Sequence, residues 1–310
     1  MIHLPAEALD CFRTHHGMAT APMLTVAGIS RRSRNRAVEE GLFEVWYERV
    51  FRICSTPLTL EARCAALCLA HPRGFITGPT AGKLRGLRRM PRLQDDIHFA
   101  HPHGAHIGPY PGVRLRQSTK IPPAHRVHRA DGIIIASDAR LAFDLAASLG
   151  PLDHCSVVEQ LLREGRVTMA TLGRMGSEMA HPARPGSVRF VATLLGRSGR
   201  PADSHPEVRV AAALRALGVP VVAQYGDLQL PNGRKIHLDL AVPSIRWGIE
   251  IDVHPEHLLL EGTTRDKRRD RQCHRIGWQV ERVSELDLLD VDGLCDELAA
   301  LYHARCLLVA

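Results

Sequence analysis

The amino-acid sequence predicts an α/β protein with several domains, and three observations support this fold class. Segments whose apolar residues recur at helical spacing alternate with segments whose apolar residues recur at every second position. Asn232 and Gly233 lie between two strand-like runs, which is the strongest short signal of a β-hairpin. The chain has 310 residues, enough for two or three separate cores. We therefore expect three domains, over residues 1–56, 57–200 and 201–310.

Composition narrows the classes of function. The formal net charge is +7, and arginine-rich clusters lie at residues 31–36 and 265–271. Basic clusters favour a polyanionic partner, although a solvated helix face would carry the same charges. The eight cysteines form no C-x-x-C pair, which predicts free thiols. The chain shows neither a signal-peptide pattern nor an apolar run of about 18 residues, so we expect a cytoplasmic protein without membrane contact.

Three short helices followed by a hairpin are predicted for the first domain. Glycines end the helical segments, Ser30 can cap the third helix, and "LFEVWYERVFRI" alternates like a hairpin. This order predicts a winged helix-turn-helix, whose third helix enters the DNA major groove. The arginines expected there to bind DNA are Arg31, Arg32, Arg34 and Arg36. A small helical domain with a basic face and no DNA is the alternative.

The middle domain is predicted to be an α/β module that ends in a Gly-, Pro-, Ser- and Arg-rich connection over residues 181–204. "DDIHFAHP" and "GVRLRQS" are strand-like, and "LTLEARCAALCLAH" and "SDARLAFDLAASLG" are helical. Histidines cluster around "HFAHPHGAH", but their spacing fits no zinc template.

The last domain is predicted to run helix, three strands, helix and strand. Alternation along "IHLDLAV" directs Leu238 and Leu240 to one face and Asp239 to the other, and along "GIEIDV" it directs Glu250 and Asp252 away from the apolar face. If the two strands pair, the three carboxylates converge. Their repulsion favours a bound hard cation, Mg²⁺ or Mn²⁺, which would activate a phosphate and a water.

These acidic residues also have structural explanations. Glu207 lies three residues after Ser204, which is the spacing of a helix capping box. Glu250 and Asp252 could pair with Arg269 or Arg282 in ion pairs. The histidines that follow the strand could be ordinary loop residues, and Asp266 and Asp270 could pair with arginines of their own helix.

The ordered set "SHPE…LDLA…GIEID…RDKRRDRQCHRIGWQVERV", over roughly residues 201–290, resembles the PD-(D/E)xK nuclease superfamily, in particular domains related to very-short-patch-repair endonucleases. The resemblance implies a restriction-endonuclease-like mixed sheet flanked by helices. It implies Glu207 as a helix-borne acid, Asp239 as the central metal ligand and Glu250 as the second metal ligand. Further motif positions are matched by His257, Asp266, Arg269, Asp270, Gly277, Trp278 and Arg282.

The chain departs from the superfamily at one position of its signature. Asp252 stands where the lysine usually lies, so the group that activates water differs. We expect His254 or His257 as the general base, because imidazole titrates near neutral pH. Lys235 or Lys267 could also reach the site from a neighbouring element. Loss of catalysis with retention of DNA binding is a further alternative.

The first two hundred residues resemble the antitoxin-type regulators of abortive-infection (type IV) toxin–antitoxin systems, through "SRRSRNRAVEEGLFEVWYERVFRI" and "SDARLAFDLA". The resemblance implies an autoregulatory DNA-binding protein, in a setting of phage defence or DNA repair. A cognate toxin or repair partner and a homodimer are expected with it.

The sequence as a whole therefore predicts a DNA-binding, Mg²⁺-dependent endonuclease. An antitoxin-type regulator with an inactive nuclease fold is the alternative. The predicted catalytic residues are Glu207, Asp239, Glu250, Asp252, His254 and His257, with Asp239 and Glu250 as metal ligands. The predicted DNA-binding residues are Arg31, Arg32, Arg34, Arg36, Arg265, Lys267 and Arg269. Carboxylates within joint reach of one ion would favour the enzyme, whereas a bridge from Arg269 would favour the regulator.

Overall fold

The computed structural model describes residues 4–47, 49–91, 96–105, 107–197, 202, 204–252 and 260–309, without the side chains of residues 227, 260–267 and 309. The chain forms two compact units, and each contains helices and mixed sheets. The N-terminal unit comprises residues 1–149 and 171–190, and the C-terminal unit comprises residues 150–170 and 191–310. The α/β class with more than one compact unit is as the sequence predicts, while the division into three domains stays a prediction.

The first part of the N-terminal unit has the predicted helices and hairpin. Its elements are α1 (Ala6–Thr14), β1 (Met18–Thr20), α2 (Ala21–Val26), α3 (Arg31–Glu39), β2 (Phe43–Trp46) and β3 (Val50–Ile53). The strands form an antiparallel sheet in the order β1-β3-β2. Ser30 caps α3, because its Oγ accepts from the backbone N–H of Ser33. The core holds the rings of Phe12 and Phe43, whose centroids are 5.2 Å apart.

The remainder of this unit is built around a five-stranded sheet. Its elements are α4 (Leu60–Ala70), β4 (Phe75–Ile76), α5 (Gly78–Leu84), β5 (Ile97–Pro102), β6 (Val113–Ser118), β7 (Arg126–His128), β8 (Ile134–Ala136) and α6 (Asp138–Leu145). The strand order is β6-β5-β4-β8-β7, with parallel and antiparallel pairs. Both predicted strands and both predicted helices quoted above are confirmed. Most apolar residues of α4, β5 and α6 are buried in this core, and those of β6 are partly buried.

The chain continues through three helices to a third, four-stranded sheet. They are α7 (Pro151–Arg163), α8 (Met169–Met179) and α9 (Ser187–Leu195). The sheet region consists of α10 (His205–Ala216), β9 (Val222–Gln229), β10 (Lys235–Val242), β11 (Trp247–Asp252), α11 (Leu260–Arg275) and β12 (Gln279–Ser284), followed by α12 (Val291–Val309). The predicted order of helix, three strands, helix and strand is therefore confirmed. The strand order is β12-β11-β10-β9, with β11 and β12 parallel and the other pairs antiparallel.

Two apolar clusters pack against this four-stranded sheet. Leu240 and Val242 pack in one cluster, with residues of α10 and α12. Leu238 lies instead in the other cluster, with Trp278, so the prediction that it shares the packing of Leu240 is wrong. The pairing of β9 with β10 shifts register just before Leu238. Gly248 leaves room for this side chain, since a Cβ there would lie 2.6 Å from a Leu238 methyl carbon.

Within the described part of the chain, none of the helices combines the length and the apolar composition that a membrane span requires.

Candidate active site

An open cleft in the C-terminal unit brings together the two carboxylates expected to bind metal. Its volume is about 710 Å³, and both Asp239 and Glu250 line it. The remaining lining residues are mostly basic or polar: Leu162, Arg163, Gln224, Arg234, Lys235, Ile236, His237 and Arg269. Carboxylates at the base of a cleft with cationic side chains around them suit an anionic ligand that is bound together with a cation.

Asp239 and Glu250 lie on one face of the sheet, as predicted. Leu240 pairs with Ile249 in the antiparallel ladder of β10 and β11, so Asp239 and Glu250 are the next opposite pair. The Asp239 carboxylate hydrogen-bonds to the backbone of β11, beyond the Leu240–Ile249 pair of the ladder. Its Oδ2 accepts from the Ile251 N–H at 2.7 Å.

Gln224 links Asp239 to Glu207 across β9 and α10. Its side-chain Nε2 donates to Glu207 Oε2 at 2.9 Å and to Asp239 Oδ1 at 3.2 Å. Sequence reasoning missed Gln224, although the hairpin at Asn232-Gly233 implies a residue of β9 opposite Asp239. The backbone of Gln224 has φ of 49°, a left-handed conformation that is uncommon for a residue other than glycine.

Glu207 serves as a cap and as a member of the acidic cluster. Ser204 Oγ donates to Glu207 Oε1 at 2.8 Å, and the Glu207 N–H donates to Ser204 Oγ at 3.4 Å. The capping explanation of Glu207 is therefore confirmed. The carboxyl is buried, with 4% of the residue exposed, and its second oxygen contacts Gln224.

Arg269 bridges to Glu250, which was one of the alternatives left open by the sequence. Its Nη2 lies 2.5 Å from Glu250 Oε1 and also donates to the His237 carbonyl oxygen. Burial raises the pKa of Glu250 to about 8, and the negative charge of Asp239 adds to this effect, while Arg269 lowers it only in part. Arg282 also lowers this pKa, so the two arginines together do not fully offset the burial of Glu250 and its neighbouring carboxylates.

Asp252 forms the ion pair with Arg282 that was one of its structural alternatives, and its catalytic role stays a prediction. Its Oδ2 lies 2.8 Å from Arg282 Nη1. Arg282 also binds Asp270 with two hydrogen bonds of 2.9 Å each. Asp270 thus pairs with an arginine outside its own helix, because the parallel pairing of β11 with β12 places Arg282 opposite Glu250 and next to α11. This ion cluster ties α11 to the sheet.

Several predicted site residues cannot be placed. His254 and His257 lie outside the described residues. Arg265, Asp266 and Lys267 lie in α11, and their side chains are likewise outside the description. The prediction of a histidine general base therefore stays a prediction.

The arginines of α3 divide into exposed and buried side chains. Arg31 and Arg32 are exposed at the start of the helix, and Arg36 is exposed with its Nε 2.7 Å from Glu40. Arg34 is only 8% exposed and donates to Thr25 Oγ1 at 2.8 Å and to the Ile29 carbonyl oxygen at 2.7 Å. Its guanidinium therefore connects α3 to α2 and its neighbouring turn, and its contact with DNA stays a prediction.

In their present arrangement the described residues contain no group of three or more His, Cys, Asp or Glu side chains that is placed to hold a metal ion. Asp239 and Glu250 have the hard oxygen donors that Mg²⁺ prefers. Their oxygens are taken up by hydrogen-bond donors, from Gln224, Ile251 and Arg269.

The sequence matches no known protein family and no curated protein. Among solved structures, the crystal structure of RV2827C protein from Mycobacterium tuberculosis is similar to part of this chain. The similarity covers 66% of this chain and 81% of that one, with 17% sequence identity and a TM-score of 0.42. At this score the similarity defines neither the fold nor the function of the chain.

Proposed function

We propose that the protein binds DNA and hydrolyses its phosphodiester bonds with a divalent cation, through a restriction-endonuclease-like C-terminal unit. One observation carries this proposal: Asp239 and Glu250 are opposite each other on paired strands and open into a cleft with a basic rim. Buried like charges destabilise a fold unless a cation or a proton compensates them. Two neighbouring carboxylates that line an open cleft therefore support binding of a cation there.

The oxygen donors in the cleft fit Mg²⁺ or Mn²⁺, with Asp239 and Glu250 as the holding residues. When bound, the cation would polarise a phosphate and lower the pKa of its water. Gln224 and the Ile251 N–H orient the Asp239 carboxylate. Lys235, on the rim, is positioned to attract the phosphate backbone of the substrate. For the cation to bind, the Arg269 guanidinium has to leave Glu250.

The N-terminal unit supports the DNA-binding part of the proposal. Its first elements run helix, strand, helix, helix, strand, strand, which is the order of a winged helix-turn-helix. Arg31 and Arg32 are exposed at the N-terminal end of the third helix, where such folds contact DNA. The proposed setting of phage defence or DNA repair, the toxin or repair partner and the homodimer follow from the sequence resemblance alone.

Cleavage is tested with purified protein on duplex, branched and mismatched DNA, with Mg²⁺ or Mn²⁺ and with EDTA. We expect metal-dependent nicking or cleavage. Asp239→Asn should lower its rate by about a hundredfold or more, because it removes a negative charge that would hold the cation at the phosphate. Asp252→Asn is the comparison variant, because the same type of side chain on the next strand is held by Arg282. We expect it to lower the rate less than Asp239→Asn, and an equal loss would assign Asp252 to catalysis. Absence of metal-dependent hydrolysis on all substrates would refute catalysis.

A regulator with an inactive nuclease fold is the second candidate, and the Arg269 bridge to Glu250 favours it. In that case the guanidinium replaces the cation permanently. The regulator would bind one operator with an affinity that EDTA leaves unchanged. In a plot of log affinity against log salt concentration, changing both Arg31 and Arg32 to alanine would make the slope shallower by about 2. This holds whether the protein is a nuclease or a regulator.

A further inference from the structure

The N-terminal unit contains a second cleft, of about 490 Å³, that the proposed cleavage does not use. It lies at the turn of the β2–β3 hairpin and the end of α4. Its volume is in the range of small-molecule sites, roughly 300–1,000 Å³. Most of its polar lining comes from three pairs of residues of the same type: Tyr47 and Tyr110, His71 and His101, and Arg49 and Arg73.

Aromatic rings form one wall of the cleft. The rings of Tyr47 and Tyr110 have centroids 4.3 Å apart, and the His71 ring lies 5.6 Å from that of Tyr110. His71 Nε2 and the Tyr110 hydroxyl are 3.1 Å apart, at hydrogen-bonding distance. The planes of the two tyrosine rings are inclined at 50° to each other, so a planar ligand can stack on one of these rings while its edge meets the other.

Positive charge lies at the rim of the same cleft. Arg49 and Arg73 are both exposed, and within the described residues neither guanidinium forms an ion pair. The described lining residues include no aspartate or glutamate. An arginine without a carboxylate partner, beside a cleft that lacks acidic groups, attracts an anion, and its planar fork matches phosphate.

The imidazole rings of His71 and His101 can form hydrogen bonds with an uncharged polar edge of a ligand. His101 is 2% exposed, and its Nδ1 lies 3.1 Å from the Pro102 carbonyl oxygen. A carbonyl oxygen only accepts, so Nδ1 donates and Nε2 of the neutral ring is an acceptor. Burial lowers the pKa of both His71 and His101, which favours the neutral rings at neutral pH.

The backbone at Tyr47 gives an independent indication of function. Tyr47 has φ of 48°, and aromatic residues adopt this left-handed conformation rarely. Strained backbone of this kind is typically maintained where a side chain has to be held in one place for a ligand. The ring of Tyr47 lies in contact with that of Tyr110.

From these observations we infer that the cleft binds one nucleoside monophosphate unit, with the base on the Tyr47–Tyr110 wall and the phosphate between Arg49 and Arg73. Only a ligand that is both planar and negatively charged would contact the aromatic rings and the two arginines together. The unit could come from a free nucleotide or from the phosphorylated end of a single strand. The site is distinct from the acidic cleft of the C-terminal unit, and the inference does not rest on catalysis there.

The experiment titrates the full-length protein with AMP, with inorganic phosphate and with a 5′-phosphorylated single-stranded tetranucleotide, by calorimetry. We expect AMP to bind more tightly than phosphate, and Arg49→Ala and Arg73→Ala each to weaken binding on the order of tenfold, since each removes a charged hydrogen bond. Arg13→Ala is the matched control, an arginine on α1 whose side chain is 78% exposed. It should leave binding unchanged.

A second pair of variants tests the stacking wall. Tyr110→Phe keeps the ring and should retain binding, whereas Tyr110→Ala should lose it; circular dichroism monitors folding in each case. Binding of the tetranucleotide but not of AMP, with the same dependence on arginine, would support the site with a strand end as the source. The inference is overturned if neither AMP nor the tetranucleotide binds, or if both arginine variants bind these ligands as tightly as wild type. It is also overturned if phosphate binds as tightly as AMP.

Discussion

Asp144 in the N-terminal unit and Glu250 in the C-terminal unit are both buried carboxylates that contact arginine, but their surroundings differ in charge. Asp144 is 1% exposed and accepts from Arg140 at 2.9 Å and from Thr77 at 2.6 Å. Arg116 lies 3.3 Å from its other oxygen. Two guanidinium groups therefore surround one carboxylate.

Glu250 has the opposite balance. It is 6% exposed, contacts Arg269, and faces a second carboxylate, Asp239, across the strand pair. Burial and Asp239 together raise its pKa to about 8. The comparison teaches that a carboxylate between two guanidinium groups needs no further partner, whereas a carboxylate beside a second carboxylate keeps a raised pKa, which the proposed cation would lower.

The largest expected effect comes from removing the matched carboxylate. Asp144→Ala leaves Arg140 buried, with 1% exposure, and without its closest anionic partner. We expect a loss of about 3–5 kcal/mol in the free energy of unfolding of the N-terminal unit, measured by urea denaturation. Glu250→Gln is the matched change in the other unit and should cost little, because it removes unmatched charge. A greater loss in Glu250→Gln than in Asp144→Ala would reverse the comparison.

The second prediction concerns pH. The pKa of Glu250 is about 8 in the folded protein and 4.5 as its ordinary value, so between these values the folded state binds the extra proton. Stability contributed by this group is therefore present below about pH 4.5 and is lost as the pH rises toward 8. Comparing wild type with Glu250→Gln isolates this slope from that of the histidines. Parallel curves for the two proteins would contradict the raised pKa.

The third prediction concerns cation affinity. Because binding to Glu250 displaces a proton, Mn²⁺ affinity should rise with pH up to about 8, by as much as about tenfold per unit. Arg269→Ala should strengthen Mn²⁺ binding about tenfold, since it removes a competing positive charge from the carboxylate. Titration calorimetry from pH 6 to 9 measures both effects. Weaker binding in Arg269→Ala would show that the arginine is needed for the site.

The smallest effect is expected at two helix caps. Ser204→Ala should lower stability by about 1 kcal/mol, since it removes the cap of α10. Ser30→Ala removes the equivalent cap of α3 and is the matched change in the N-terminal unit. The loss at Ser204 should be the greater, because its hydroxyl also donates to the buried Glu207 carboxylate. Thermal unfolding of both variants measures the difference, and equal losses would mean that the acidic cluster does not depend on the cap.

The candidate site could be predicted in part because two local rules apply to it. Side-chain alternation puts Asp239 and Glu250 on one face once β10 and β11 pair, and the Asn-Gly turn defines the preceding hairpin. Neither rule identifies the donors that reach the carboxylates. Gln224 comes from β9 and Arg269 from α11, and both contacts depend on how separate elements meet.

Periodicity and capping residues by themselves predicted the first three helices, the β2–β3 hairpin and the order of elements from α10 to β12, because these signals lie in neighbouring residues. They did not predict β1, β4, β7, β8 or α8. Charge alone gave Arg34 and Arg31 the same predicted role, and it placed Asp252 with Glu250 among the catalytic residues, although only Glu250 was predicted to bind metal. Only the tertiary structure separated them: Arg34 turns inward to α2, and Asp252 turns to Arg282. The physical reason is that burial and ion pairing are decided by residues that are distant in sequence, and no local pattern records which of them will become neighbours.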